Sequence, residues 1–406
     1  MISPTLMRRY TLGLAFVCFV ALGMSNGMLG VAWPSMRASF GLPLDALVAF
    51  LISSTIGFTS GSILSSQIIA RIGIGRFLLI MNLIAAAGFI GYVVAPGWWV
   101  LVFMGVLTGW GAGAIDTGLN IYVAATRTVR IMNWMHAMFG VGATIGPLIM
   151  TGIVGAGLSW RLGYVLAAAV HLVLALLYVT VLRHLDFRGM APVAVATEEP
   201  AKTISPLTTL RVPIVLLSVF LFLLYTGVES TTGQWSYSLF TESRSISTYL
   251  AGIMTSLFWA MLTMGRFLFG AAAHRIGIDR LLRWSMIGTI FSAALFMIPS
   301  VGASIASVGL MGLSLAAIFP TLTSDTPLRV GLRHAANAIG LQTGAASVGF
   351  AILPGLAGVL AARLGLEMLG PYLLTTSVMM LVTNEVAMWL VRRNRRAEEP
   401  TTAPAD

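Results

Sequence analysis

The sequence predicts an all-α membrane protein: twelve transmembrane helices in two pseudo-symmetric six-helix bundles. Three observations carry this. Of 406 residues, 57% are hydrophobic and only 9% are charged, whereas a soluble domain covers its surface with about 25% charged residues. The apolar residues fall into runs of about 20 or more, the length that crosses a bilayer. Finally, "ARIGIGRFLL" from Ala70 is echoed by "HRIGIDRLLR" from His274, an offset of 204 residues, which marks two related halves.

The runs are read at 10–34, 44–70, 76–95, 99–125, 132–157, 162–182, 213–240, 247–271, 281–299, 302–324, 336–361 and 370–391. The first is read as a retained helix. It is long, lacks a small-residue cleavage site and contains Asn26 and Trp33, unlike a cleaved signal peptide. Residues 183–212 are rich in Pro, Ala, Thr and charge and read as a flexible linker. The expected organisation is an N-terminal bundle at 1–182, a cytoplasmic linker at 183–212, a C-terminal bundle at 213–391 and a cytoplasmic tail at 392–406. Asp45 is expected to cap the second helix.

Basic residues set the expected orientation. With both termini inside, 19 Lys and Arg residues fall in inside segments against 4 outside (Arg37, Arg161, Arg244 and Arg363), with Arg266 left within a span. That bias places both termini in the cytoplasm of a cell whose inner (plasma) membrane holds the protein. The net charge of +10 does not gather on a polar, aromatic-interleaved face, so no nucleic-acid partner is expected. The expected partners are the lipid bilayer and a small-molecule substrate, and the chain is expected to act as a monomer. One cysteine, Cys18, excludes an intrachain disulfide, and the five His show no ligand spacing for a metal. No cofactor is expected beyond a coupling proton, with sodium as the alternative ion. No Gly-Lys-Ser/Thr phosphate loop supports ATP use, and an enzyme is not expected. A receptor or scaffold would need a sizeable soluble domain, which no segment here can build.

Two related bundles joined by a linker imply a pseudo-two-fold axis along the membrane normal, with substrate between the halves at mid-depth. Within that frame Asp116 and Glu229 stand out. A charge at bilayer depth costs at least ~2.5–3.5 kcal/mol, so intramembrane acids mark functional sites by default. A carboxyl group that is neutral when buried and ionised when wet is what proton coupling needs. The competing reading is a structural bond between helices.

Asn120 lies four residues after Asp116 and shares its face. Asn26, with Ser25, lies where the first helix would line the cavity. Gln234 and Trp235 follow Glu229 by about one and a half turns. Amides bind hydroxyl groups and an aromatic ring covers the C–H face of a sugar; polar glue between helices is the alternative. Asn133 and His136 are three apart, and His136 titrates near neutral pH, suiting proton relay or substrate contact. Trp259 and Gln342 complete the expected substrate-binding set. His171 reads as a packing residue, and Glu385 ranks well below Glu229. "GVGATIGP" at 140–147 reads as a packing and hinge element. Arg71, Arg76, Arg275, Arg280 and Asp325 are expected to gate the cytoplasmic side, with Asp325 close to Arg329.

These stretches resemble the major facilitator superfamily over essentially the whole chain. The 2–3 loop is similar to that family's cytoplasmic motif in Arg71, Gly73 and Arg76, but Ala70 stands where an Asp is usual, and His274 takes the equivalent place in the second half. Within the superfamily the chain resembles the fucose–proton symporter group and its glucose-transporting relatives. The resemblance rests on "GAIDTGLN" at 113–120, "NWMHAMFGVGATIGPL" at 133–148, "YTGVESTTGQW" from Tyr225, "SLFWAMLTMGRFLFG" at 256–270 and "IFPTLTS" at 318–324. It implies secondary active transport of a small polar solute, a sugar, by proton-coupled symport, with the acid at Asp116 implicated in coupling. The fucose permease carries an acid in its first helix; here that helix offers Ser25 and Asn26. The alternative reading is a proton-driven efflux antiporter for hydrophobic drugs or metabolites, to which the 22 methionines are suited.

Overall fold

The computed structural model describes residues 4–126, 129–181 and 205–398. In the first half the helices are α1 (Pro4–Phe40), α2 (Leu47–Ile72), α3 (Ile74–Val94), α4 (Trp98–Thr126), α5 (Val129–Gly155) and α6 (Arg161–Val181). A short helix, α7 (Pro206–Leu210), follows. The second half holds α8 (Pro213–Ser238), α9 (Thr248–Ile276), α10 (Ile278–Phe296), α11 (Val301–Leu315), α12 (Ile318–Val330), α13 (Leu332–Leu364) and α14 (Leu369–Glu398).

All twelve expected spans are helical, with differences of detail that have local causes. The run expected at 302–324 is two helices, α11 and α12, parted at Ala316–Ala317. Pro320 sits in the first turn of α12, where its missing N–H is no loss. The helix α14 continues to Glu398, past the expected start of the tail, and 399–406 lie outside the described residues, as does most of the linker. Asp45 does not cap α2. It sits in a 3-10 turn, and the N-cap position belongs to Ala46, which makes no side-chain cap bond. Eleven spans among the described residues are long and apolar enough to cross a membrane. The twelfth, α10, is 19 residues long and carries Asp279, Arg280 and Arg283 at its start.

The two halves pack alike. In the first, α1 lies on α5, α2 on α4, and α3 on α4 and α6; in the second, α8 lies on α13, α9 on α11, and α10 on α11 and α14. The sequence repeat has a backbone counterpart. Gly73 ends α2 at φ 80°, and Gly277, 204 residues on, separates α9 from α10 at φ 85°. A side chain is strained in that region, so the same tight turn recurs with the same residue. The 140–147 element packs as its composition suggests. Gly142 and Gly146 face the backbone of α1 at Val20 and Met24, where a Cβ would collide. That close approach binds α1 to α5.

Contact between the halves is one-sided. The helix α1 meets α8, α2 meets α13, and α5 runs along α9. These contacts extend from the end marked by Thr151 against Gly252, and by Val48 against Gly355, to Gly140 against Thr263 near mid-depth. At that end Arg37 Nη2 bonds Glu242 Oε2 at 2.6 Å, joining the tip of α1 to the π-turn Leu239–Ser243 after α8. On the opposite side, among the described residues, the ends of α4 and α5 make no substantial contact with α12 or α13. The protein is therefore shut on the Arg37–Glu242 side and open on the other.

Candidate functional site

A cavity of about 350 Å³ lies where the halves diverge. From the first half it takes Ser25, Asn26 and Leu29 of α1, Phe50, Ser54 and Phe58 of α2, Asp116 of α4 and Phe139 of α5. The second half adds Thr226 and Gln234 of α8 and Thr343, Ser347 and Phe350 of α13.

The small hydroxyls on this wall are occupied locally. Ser25 Oγ donates to the Ala21 carbonyl at 2.9 Å, and Thr226 Oγ1 to the Ala346 carbonyl at 2.9 Å. The two amides differ. Asn26 Oδ1 and Gln234 Oε1 are buried and accept no hydrogen bond from the protein. Each such group costs ~1–3 kcal/mol against its hydrated state. They come from opposite halves and line one space, which is the arrangement that hydroxyl donors on a solute would complete.

Behind them runs a polar chain. Asn120 Nδ2 donates to Asp116 Oδ2 at 3.2 Å, and His136 Nε2 meets Asn120 Oδ1 at 3.0 Å. The i,i+4 spacing on α4 stacks Asp116 over Asn120. Burial of Gly140 against α9 turns His136, one turn earlier on α5, toward Arg266. His136 is also edge-on to Phe19, with centroids 5.2 Å apart. His136 and Asn133 are exposed on the open side.

In the second half, Glu229 is not a lone acid. Arg266 Nη2 stands 3.8 Å from its carboxylate, and the buried Tyr225 hydroxyl lies against both. Glu229 lies between the wall residues Thr226 and Gln234 along α8 but is not itself on the wall. Sequence reading left Arg266 inside a span without a partner; its isolation in α9 was the available signal.

Three expected substrate contacts are placed elsewhere. Trp235 Nε1 donates to the Pro354 carbonyl at 2.8 Å and its ring packs on Gly358, so it ties α8 to α13. Gln342 bonds Ser218 through Nε2 and accepts from Thr326 Oγ1 at 3.0 Å, inside the second half. Trp259 is buried against Gly233 and Phe258, behind the wall rather than on it. His171 bonds Asn82 at 2.9 Å and stacks on Phe89, and it also borders the cavity.

The expected gating residues lie on the open side. Arg71, Arg76 and Arg280 are exposed, and Asp325 pairs with Arg329 at 2.5 Å within the second half, where Arg329 also reaches Asn384 at 3.1 Å. The Arg275 side chain lies outside the described residues. The bond across the closed face, Arg37–Glu242, joins an arginine expected outside to an acid that the sequence does not single out. Nothing in a linear pattern joins residues 205 apart. Glu385 pairs with Arg283 at 2.7 Å on the bundle's periphery.

Eleven apolar spans and α10, packed as two like bundles that are shut on one face around a cavity opening on the other, define a secondary carrier rather than an enzyme. The chain belongs to the Major Facilitator Superfamily, which it matches over residues 15–346. It is 24% identical over 328 residues to a glucose/mannose transporter, GlcP, of Bacillus subtilis, covering 77% of this chain and 78% of that one. Its fold is similar to a solved variant of the nucleoside transporter NupG, with a TM-score of 0.73 at 13% identity, covering 93% and 99% of the two chains. It is equally similar to a bacterial homologue of the human lysosomal transporter Spinster, in an inward-facing and occupied conformation, with a TM-score of 0.73 at 14% identity and full coverage of both.

Proposed function

We propose that the protein carries a small polyhydroxylated solute, a sugar, across the plasma membrane by alternating access coupled to protons. The observation that carries this reading is that Asn26 and Gln234 line one cavity from opposite halves and each holds an amide oxygen that the protein leaves unpartnered. A solute bonded to both draws the halves together, which is what a rocking carrier requires. The likeness to a glucose/mannose transporter supports the sugar class.

With the arginine-rich loops in the cytoplasm, the open side is inward and Arg37–Glu242 closes the outward side. Proton coupling is assigned to Asp116, with Asn120 and His136 leading from it to the open mouth, and to Glu229. In the cycle, a proton and the solute enter together from outside, the halves rock, and both leave inward. The return of the empty carrier requires the carboxyl groups to deprotonate.

Five phenylalanines on the cavity wall, Phe50, Phe58, Phe89, Phe139 and Phe350, favour a second reading, a proton-driven exporter of hydrophobic compounds. Proteoliposomes separate the two. Counterflow of labelled D-glucose or D-mannose, accelerated by an inward proton gradient, is expected. Gradient-driven movement of a lipophilic dye without sugar counterflow would establish the exporter instead.

A further inference from the structure

We propose that Arg266 docks a carboxylate on the transported solute, so that the substrate is a sugar acid and Glu229 yields its place on the guanidinium by taking up the coupled proton. This rests on the sugar reading above and narrows it.

The first observation is a distance. Within this molecule Arg37–Glu242 closes to 2.6 Å, Arg244–Glu367 to 2.6 Å and Arg283–Glu385 to 2.7 Å. These are the ~2.7 Å bonds expected of a guanidinium on a carboxylate. Arg266–Glu229 stays at 3.8 Å. A guanidinium has five N–H donors in a planar fork suited to carboxylate. Here the carboxylate beside it stands beyond hydrogen-bond range, and the other polar contact is the neutral Tyr225 hydroxyl.

The second observation is direction. One third of the Arg266 side chain is exposed, against 13% for Glu229. The neighbours define what that surface faces. Thr263, one turn earlier on α9, is sealed against Gly140, while His136, one turn earlier on α5, is exposed and within electrostatic reach of Arg266. The guanidinium therefore lies one turn to the open side of the Gly140–Thr263 contact between the halves, next to His136.

The third consideration is cost. A buried ion pair is often no more stabilising than apolar residues of the same volume, and each charge at depth costs at least ~2.5–3.5 kcal/mol. A loose pair beside the contact between the halves is explained by exchange of partners. When a solute carboxylate binds Arg266, two carboxylates would share one cation, which favours protonation of one. Glu229 is the one that stays with the protein. The charged and titratable groups facing it are Tyr225 on its own helix and Arg266 on α9, with His136 of α5 facing Arg266 in turn. One proton thus accompanies one anion, and no net charge moves.

The test is ligand binding to the purified full-length protein in detergent, at mildly acidic and neutral pH, with D-glucuronate and D-glucose as probes. Wild type is expected to bind D-glucuronate roughly tenfold more tightly than D-glucose, and more tightly still at the lower pH. Arg266→Gln is expected to lose that preference while retaining D-glucose. The charge-neutral double variant Arg266→Gln with Glu229→Gln serves if the single variant does not fold, with the same expectation. Glu229→Gln alone is expected to bind D-glucuronate without the pH dependence. Wild type binding D-glucose alone, or Arg266 variants binding D-glucuronate unchanged, overturns this inference and leaves the sugar reading standing. Binding of neither probe overturns both.

Discussion

Arg37 and Glu242, 205 positions apart in the chain, meet at 2.6 Å across the boundary between the two halves and close one face of the carrier. The pair is about a quarter exposed on each side. Its contribution is therefore that of a partly screened ion pair, ~0.2–1 kcal/mol. Small energies suffice to redistribute two conformations that lie within a few kcal/mol of each other.

Arg37→Ala or Glu242→Ala is expected to raise the population open on this face by a few-fold, with little loss of stability. Spin labels on the tips of α1 and α9 would show a longer-distance fraction growing in both variants. An unchanged distance distribution would remove the pair from gating.

Gly30→Val should act in the same direction by a steric route. A Cβ at Gly30 would stand 2.6 Å from the Gly233 carbonyl oxygen of the opposite half. The contact cannot relax without parting α1 from α8. The variant is expected to favour the opposite-facing state more strongly than loss of the ion pair, by the same label measurement.

Asn26→Ala and Gln234→Ala are expected to weaken sugar binding roughly tenfold or more without lowering the melting temperature of the empty protein. Removing an unpartnered buried acceptor relieves a cost of ~1–3 kcal/mol rather than breaking a bond. Reduced stability with unchanged affinity would mark the amides as structural.

Trp235→Phe should behave in the opposite way. It removes the donor to the Pro354 carbonyl between α8 and α13, a buried bond worth ~0.5–1.5 kcal/mol net, and leaves that carbonyl to find another partner. A lower melting temperature with unchanged KM is expected. A large rise in KM would return Trp235 to the substrate site.

Asp116→Asn is expected to abolish accumulation driven by a proton gradient while preserving solute exchange at equal pH. Asn holds the hydrogen bond to Asn120 but cannot release a proton. Full gradient-driven accumulation in both Asp116→Asn and Glu229→Gln would take the carboxylates out of the coupling step.

The sequence by itself determined the helices, because each must bury its own backbone bonds in lipid and so announces itself as an uninterrupted apolar run. It also determined the likeness of the halves. The Gly73 and Gly277 turns require a residue without Cβ at both repeats. It singled out Asp116, Asn26 and Gln234 because polar groups are rare and costly in such runs. What it could not determine is which polar groups face one another. Trp235 and Gln342 carry the same chemistry as Asn26 and Gln234, yet a Pro354 carbonyl and a Ser218 hydroxyl satisfy them from neighbouring helices. Arg266 beside Glu229, and Arg37 beside Glu242, are likewise products of helix packing across long separations. Rotation and tilt of a helix are set by the surface it packs against, so tertiary structure alone decided which side chains became cavity, which became glue and which became latch.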